Sequence, residues 1–296
     1  MRVLVVGADG QVGSELVRLG AQPRSRGQLR VVGLGRRLLD LTRPETIVAN
    51  LDEHRPGLVV NAAAHTAVDQ AEAEREAAFA INATGPAWLA QACSERGIPL
   101  LHLSTDYVFD GTASEPIRED HPPAPLGVYG ESKLAGERAV RAALGDHLIL
   151  RISWVFSARG RNFVKTILRL AQEREELQVV ADQHGCPTAA VDVAEAILTL
   201  CERLEEQGSL PWGTFHYCGT PPTTWHGFAE AIVEAARSDW ALKVRRVRAI
   251  TTAEFPTPAA RPRYTVLCTH KATQVLGISA PAWQDSLELV LKDLRP

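Results

Sequence analysis

Along the first half of the chain, short apolar runs alternate with stretches whose apolar residues recur every three or four positions. Residues 3–6, 29–34, 57–61, 100–103 and 146–152 are runs of the first kind, bounded by glycine, proline or polar residues, and they predict strands. Helical spacing follows through Leu16 and Leu19, over 44–53, over 74–96 and from Tyr129 onward. Alternation of this kind over residues 1–155 implies an α/β fold built on a doubly wound parallel sheet. Right-handed crossovers then bring every strand's carboxyl end to one side.

Beyond Trp154 the alternation loosens. Helices are expected over 161–172, 191–204, 225–237, 271–276 and 283–294, and strands over 178–181 and 213–218. The domain reading is therefore a sheet domain, 1–155, completed by residues from about 178–220. Residues 156–296 then form mainly a smaller substrate-binding lid, interleaved with the sheet domain.

The turn after the first strand adds chemistry. Gly7, Gly10 and Gly13 have GxxGxxG spacing between a strand and a helix. Glycine there lets the backbone approach a pyrophosphate, which the helix amino terminus attracts. A plain tight turn is the bland alternative, and the strand–turn–helix context favours the nucleotide. In dinucleotide folds the end of the second strand meets the adenosine ribose, where an acid accepts the 2′-hydroxyl and arginine suits a 2′-phosphate. Arg36 and Arg37 stand there with no acid beside them in sequence, which points to NADPH, with NADH as second choice. Thr42 is expected to cap the helix over 44–53, and Asp40 with Leu41 to edge the adenine. Ala62, Ala63 and Ala64 leave room for a ligand at the third strand's carboxyl end, and His65 reads as a positioning or structural residue.

Tyr129 precedes Lys133 by four positions on a predicted helix, so their side chains share one face. A free phenol titrates near pH 10. An adjacent ammonium favours phenolate, so the pair can hand over a proton and take it back near neutrality. Lysine is scarce, at 133, 165, 243, 271 and 292, and arginine supplies the remaining basic charge, so lysine at this position stands out. Thr105, at the end of the fourth strand, offers a hydroxyl to the same carbonyl oxygen. The alternative for YxxxK by itself is an exposed amphipathic helix.

Composition narrows the classes. Hydrophobic content of 45%, charged content of 23% and a net charge of -3 describe a globular protein with no basic surface for nucleic acid or membrane. No apolar run has membrane-spanning length, and the start lacks the basic–apolar–small order of a signal peptide. The five cysteines form no CxxC pair and suit reduced thiols in the cytoplasm.

Taken together, Gly7, Gly10, Gly13, Thr105, Tyr129 and Lys133 resemble the extended short-chain dehydrogenase/reductases, with their Rossmann domain. More narrowly, the segments 61–69, 104–109, 128–137, 151–155, 162–163, 182–188, 224–226 and 256–262 are similar, in this order, to the dTDP-4-dehydrorhamnose reductase family. The resemblance spans nearly the whole chain. It implies reduction of the C4 keto group of a dTDP-4-keto-6-deoxyhexose by NADPH or NADH, giving dTDP-L-rhamnose for surface polysaccharide. It implies Tyr129 as proton donor, Lys133 lowering its pKa and holding the nicotinamide ribose, and Thr105 tuning the phenol. Gly10, Gln11 and Val12 are implied at the pyrophosphate, Arg36, Asp40 and Leu41 at the adenosine, and Ala62–Ala64 with Thr66 at the cofactor's middle. Asp106, Trp154, Asn162 and Arg261 are implied on the substrate side, the partner being a small nucleotide sugar. The oligomeric state stays open, with a homodimer as one alternative.

Two features depart from the family pattern. Arg263-Tyr264-Thr265 stands where smaller polar residues are usual. Some members bind magnesium between subunits; here Glu15 and Asp192 are available but Ala189-Ala190-Val191 adds no ligand, so no required metal is expected. Rival readings are another nucleotide-sugar epimerase or dehydratase, and a non-catalytic cofactor-binding protein similar to the regulatory subunit of methionine adenosyltransferase.

Overall fold

A computed structural model describes residues 1–23, 29–279 and 281–295. Its central sheet has six parallel strands. Their order is Gly213–His216, β5 (His147–Ile152), β4 (Leu100–Thr105), β3 (Leu58–Asn61), β1 (Arg2–Val6), β2 (Arg30–Leu34). The α/β fold predicted from the alternation is the one observed. Successive side chains of a strand point to opposite faces. Val3 and Val5 join Leu16 of α1 (Gln11–Gly20) and Ile197 of α8 (Ala190–Gln207) in one buried cluster. Leu4 and Val6 join Ile47 of α2 (Pro44–His54), Leu89 of α5 (Gly85–Ser94) and Val140 of α6 (Val128–Ala143) in another. Helices cover both faces, which is why these strands read as continuous apolar runs.

The strand order decides where a ligand can lie. β1 sits between β2 and β3, so the winding reverses there. Open α/β sheets bind ligands outside the strands' carboxyl ends at such a reversal.

The single helix expected over 74–96 is observed over 75–94, continuous but with a π-helical turn inside it. α3 (Val68–Ala73) comes before it, and α4 (Arg75–Phe79), the π-helical turn Ala80–Thr84 and α5 make it up. Asn82 lies inside the π turn, 1% exposed. Its Oδ1 accepts from the His65 amide at 2.8 Å, and its Nδ2 donates to His65 O at 3.1 Å and Ser132 Oγ at 3.0 Å. Those bonds tie the loop after β3 to α6 and account for the irregular turn.

Of the stretch 178–220 expected to complete the sheet, Gly213–His216 pairs with β5. Glu176–Val180 pairs instead with Arg246–Ile250 in a separate two-stranded sheet. That small sheet packs with α7 (Phe163–Glu173), α9 (Trp225–Ala236) and α10 (Trp283–Asp293) around Ile167, Phe228, Trp283 and Leu287. Among the described residues no helix is long and apolar enough to cross a membrane.

Candidate active site

The turn after β1 lies directly on the end of β2. The amides of Gly7 and Ala8 both donate to Leu34 O, at 3.0 and 3.2 Å. Gly7 has φ of 83°, and a methyl there would stand 2.6 Å from Ala63 N. Only glycine lets this turn close on the chain leaving β3. A methyl on Gly13 would stand 2.2 Å from Gly7 O, so the helix start is pressed onto the turn as well.

Gly10 is the N-cap of α1, with no side-chain cap and no acid in the first turn. The first-turn amides of Gln11, Val12 and Gly13 therefore have no intrahelical acceptor at the helix's positive end, a fit for a pyrophosphate. Ala62, Ala63 and Ala64 are partly exposed alongside, and Thr66 is exposed. Val12 turns its side chain into the core, which leaves its backbone for a ligand.

Where the adenosine is expected, two expectations change. Thr42 does not cap α2, whose N-cap is Arg43. It turns back instead, donating from N and Oγ1 to Asp40 Oδ1 at 2.9 and 2.8 Å. Burial alone would raise the Asp40 carboxyl, but these bonds and the Arg36 guanidinium hold it below the usual range. Leu41 is 4% exposed and lies against Gly85, so its side chain belongs to the core and only its backbone can edge an adenine. Arg36 is exposed, its Nε 3.4 Å from Asp40 Oδ2.

Thr105 is the last residue of β4, Tyr129 lies in the first turn of α6, and Lys133 follows one turn on. Gly127 offers α6 no side-chain cap. Glu72 of α3 supplies one from a distance, its Oε1 accepting from Val128 N at 2.8 Å. The Tyr107 ring meets Tyr129 edge-on at 5.6 Å. Both border a small recess whose other walls include Val68, Glu72, Ala259 and Pro262.

Burial pushes the Tyr129 phenol up to about 12, and the Thr105 hydroxyl works against that rise. Burial pushes the Lys133 ammonium down to about 8, with Glu137 opposing. Lys133 Nζ donates to Leu103 O at 2.6 Å. Desolvation dominates the phenol, and the ammonium is engaged by the β4 backbone.

Under Lys133 lies a charged cluster that sequence reasoning missed. Glu137 Oε1 accepts from Ser104 Oγ at 2.6 Å and Arg151 Nε at 2.8 Å. Its Oε2 accepts from the terminal nitrogens of Arg151 at 2.7 Å and Arg141 at 2.5 Å. Burial would raise this carboxyl, yet Arg151 and Ser104 keep it below its ordinary value. A signal was present: Arg151 interrupts the apolar run 146–152, and a lone charge there calls for a buried partner.

The substrate-side residues fare differently. Asp106 is 1% exposed; burial pushes its carboxyl up to about 6, while the Thr265 and Thr105 hydroxyls pull the other way. Trp154 adopts a left-handed φ of 45°, its ring stacked on Trp225 at 3.6 Å. Asn162 caps α7 through Oδ1, accepting from Lys165 N at 3.2 Å. Its Nδ2 donates to Ser157 O at 2.6 Å and Gln11 Oε1 at 3.0 Å, so its amide is committed within the chain. Arg261 is paired with Asp69 Oδ1 at 2.9 Å beside the recess. Of the carboxylates considered for a metal, Glu15 pairs with Arg18 and Arg159, and Asp192 accepts from Ser286 Oγ.

Comparison with known proteins gives a consistent result. A family model described as RmlD substrate binding domain matches residues 1–295. A dTDP-4-dehydrorhamnose reductase of Burkholderia thailandensis is 44% identical, covering 99% of each chain. That of Escherichia coli is 41% identical, covering 99% of this chain and 98% of its own. The crystal structure of such a reductase from Clostridium acetobutylicum superimposes with a TM-score of 0.90 at 36% identity, covering 99% of both chains. One from Bacillus anthracis, solved in complex with NADP, has a TM-score of 0.88 at 36% identity and the same coverage.

Proposed function

Because the chain belongs to the RmlD substrate-binding-domain family over residues 1–295, we propose that it reduces the C4 keto group of dTDP-4-dehydrorhamnose with NADPH, forming dTDP-L-rhamnose. When bound, NADPH would supply the hydride that reduces C4. Tyr129 supplies the proton to the oxygen: burial keeps its phenol neutral at physiological pH, so it enters the step as an acid. Thr105 donates its hydroxyl to the same oxygen and orients it. As the phenol gives up its proton, the Lys133 ammonium stabilises the phenolate and limits the cost of charge in a dry site. Gly10, Gln11 and Val12 hold the pyrophosphate through backbone amides at the α1 terminus.

The observation that carries this reading is the convergence of Thr105, Tyr129 and Lys133 at the carboxyl end of β4, on the side where the glycine turn and Ala62–Ala64 line the sheet's reversal. NADP in the Bacillus anthracis relative supports the cofactor, and the names of the relatives support the substrate. The test is to mix the protein with NADPH and the keto sugar nucleotide and follow the absorbance of the reduced nicotinamide. Consumption of cofactor with formation of dTDP-L-rhamnose is expected. A flat trace with a correctly folded protein removes the proposal.

A further inference from the structure

Among the described residues other than glycine, Arg55 and Trp154 have positive φ. Arg55 is the left-handed C-cap of α2, an ordinary place for such a φ. Trp154 ends no helix, and a left-handed φ of 45° on so bulky a residue persists only where its surroundings over-determine it. It stands two residues past Ile152, the β5 partner of Thr105 in β4, where the chain leaves the central sheet. Three contacts hold the backbone there. The Ser153 hydroxyl donates to Cys186 O at 2.7 Å, Thr188 N donates to Trp154 O at 3.2 Å, and Val155–Phe156 pairs with Thr188–Ala189. The indole lies against Gly185, where a methyl would stand 2.4 Å from its Cε2. It also stacks on Trp225, with ring centroids 3.6 Å apart and planes 7° from parallel.

Trp225 is itself anchored. It opens α9 behind the N-cap Thr224, whose Oγ1 accepts from Gly227 N at 3.0 Å, and its ring meets Phe163 of α7 at 4.6 Å. Thr223–Thr224 pairs with His184–Gly185, so one small sheet places both groups that touch the Trp154 indole. Rings overlapping face to face are electrostatically less favoured than offset or edge-on pairs, and Trp154 carries backbone strain besides. Neither indole is fully buried, so core packing does not account for the arrangement. Strain of this kind is characteristic of a side chain held ready for a ligand. A flat, half-buried indole suits the C–H side of a sugar, and a 6-deoxyhexose adds its methyl group. We propose that Trp225 is a positioning residue for the reaction, holding the Trp154 indole flat as the platform for the apolar side of the 6-deoxy sugar. The inference rests on the reductase reading, which supplies that sugar.

Two measurements on the full chain test it. The first is steady-state kinetics of wild type, Trp225→Leu and Trp225→Phe. Losing one aromatic contact of this size should raise KM for the keto sugar nucleotide about tenfold in Trp225→Leu, with kcat changed less. Trp225→Phe keeps a flat ring and should restore most of that loss, and NADPH should bind all three proteins alike. The second is ultraviolet circular dichroism, in which two stacked indoles give a paired signal that both variants should lose. On wild type, dTDP-L-rhamnose should change that signal and dTDP, which has no sugar, should leave it unchanged. The wild-type titration decides the matter should Trp225→Leu fail to fold. An unchanged KM in a folded Trp225→Leu, or a signal that dTDP and dTDP-L-rhamnose alter equally, overturns the role of Trp225 and leaves the reductase reading intact. A wild type that neither reduces the keto sugar nor binds dTDP-L-rhamnose overturns both.

Discussion

Lys133 Nζ donates to the main-chain oxygen of Leu103 at 2.6 Å, two residues before Thr105 on the same strand. That bond sets the ammonium against the edge of the proposed site of proton transfer, with Tyr129 one helical turn away. Burial leaves this ammonium titrating near about 8. A base whose pKa is depressed in the folded state loses its proton as pH rises through that lowered value. The reductive kcat should therefore fall as pH rises through about 8, because the charge that stabilises the phenolate is lost. A pH profile at saturating cofactor and substrate reads this directly; a flat profile up to pH ~10, the range of a free phenol or lysine, contradicts it.

Tyr129→Phe keeps the ring, and with it the edge contact to Tyr107, but removes the acid. A positioned acid contributes about 10²–10⁴-fold, and kcat should drop by that range. NADPH affinity should stay within a few-fold of wild type, because the substitution leaves the proposed pyrophosphate site at the α1 terminus untouched. Parallel turnover and calorimetric measurements separate the two; loss of cofactor binding together with kcat would mean the phenol supports the site's shape more than its chemistry.

Asp106 provides a stability test with a definite sign. Burial raises its carboxyl to about 6 from 3.8. Between those values the native chain holds a proton that the unfolded chain has released, so stability declines as pH rises through the window, and the whole deficit is present above about pH 6. Asp106→Asn should remove about 2–3 kcal/mol of that decline, at ~1.4 kcal/mol per pKa unit. Urea unfolding of both proteins at about pH 4 and pH 7 compares the two slopes; equal slopes would place the proton elsewhere.

The Glu137–Arg151 pair is almost wholly shielded from solvent, with side chains 0% and 2% exposed. Removing one member of a buried pair leaves the other uncompensated, and Glu137→Leu should cost about 3–5 kcal/mol. Glu137→Leu combined with Arg151→Leu should regain most of that loss. Chemical denaturation of the single and double variants measures the coupling, and additive losses would show that the two charges are independently solvated.

Much of the fold and part of the site were legible before any coordinates. β1 to β5 were read within two residues at either end because each is a mainly apolar run, and β1, β3, β4 and β5 are buried on both faces of the sheet. Strand–glycine–helix and YxxxK were readable because their geometry is local. What was not legible depended on distant partners. The helix over 74–96 was legible, but not its π turn around Asn82, whose buried amide bonds His65 and Ser132, a demand absent from helical periodicity. Thr42 left its expected cap for Asp40. The bonds of Asn162, implied on the substrate side, to the first turn of α7 and to Gln11, 151 residues away in sequence, could not be read from its neighbours. Arg246–Ile250 went unread because a half-exposed strand with alternating arginines carries little apolar signal.

By itself, the sequence determined which segments become strands and helices, that the sheet is parallel, and which residue types stand at the strand ends, since all of these follow from side-chain periodicity and the handedness of the crossovers. Tertiary structure alone decided the electrical state of those residues. Burial raises Tyr129 to about 12, lowers Lys133 to about 8 and brings Asp106 to about 6. It also brings the Asp9 carboxylate onto Gly35, beyond a strand it does not follow. The reason is that a charge's free energy depends on the water removed from around it and on the groups folded against it, and neither is a property of neighbouring positions along the chain.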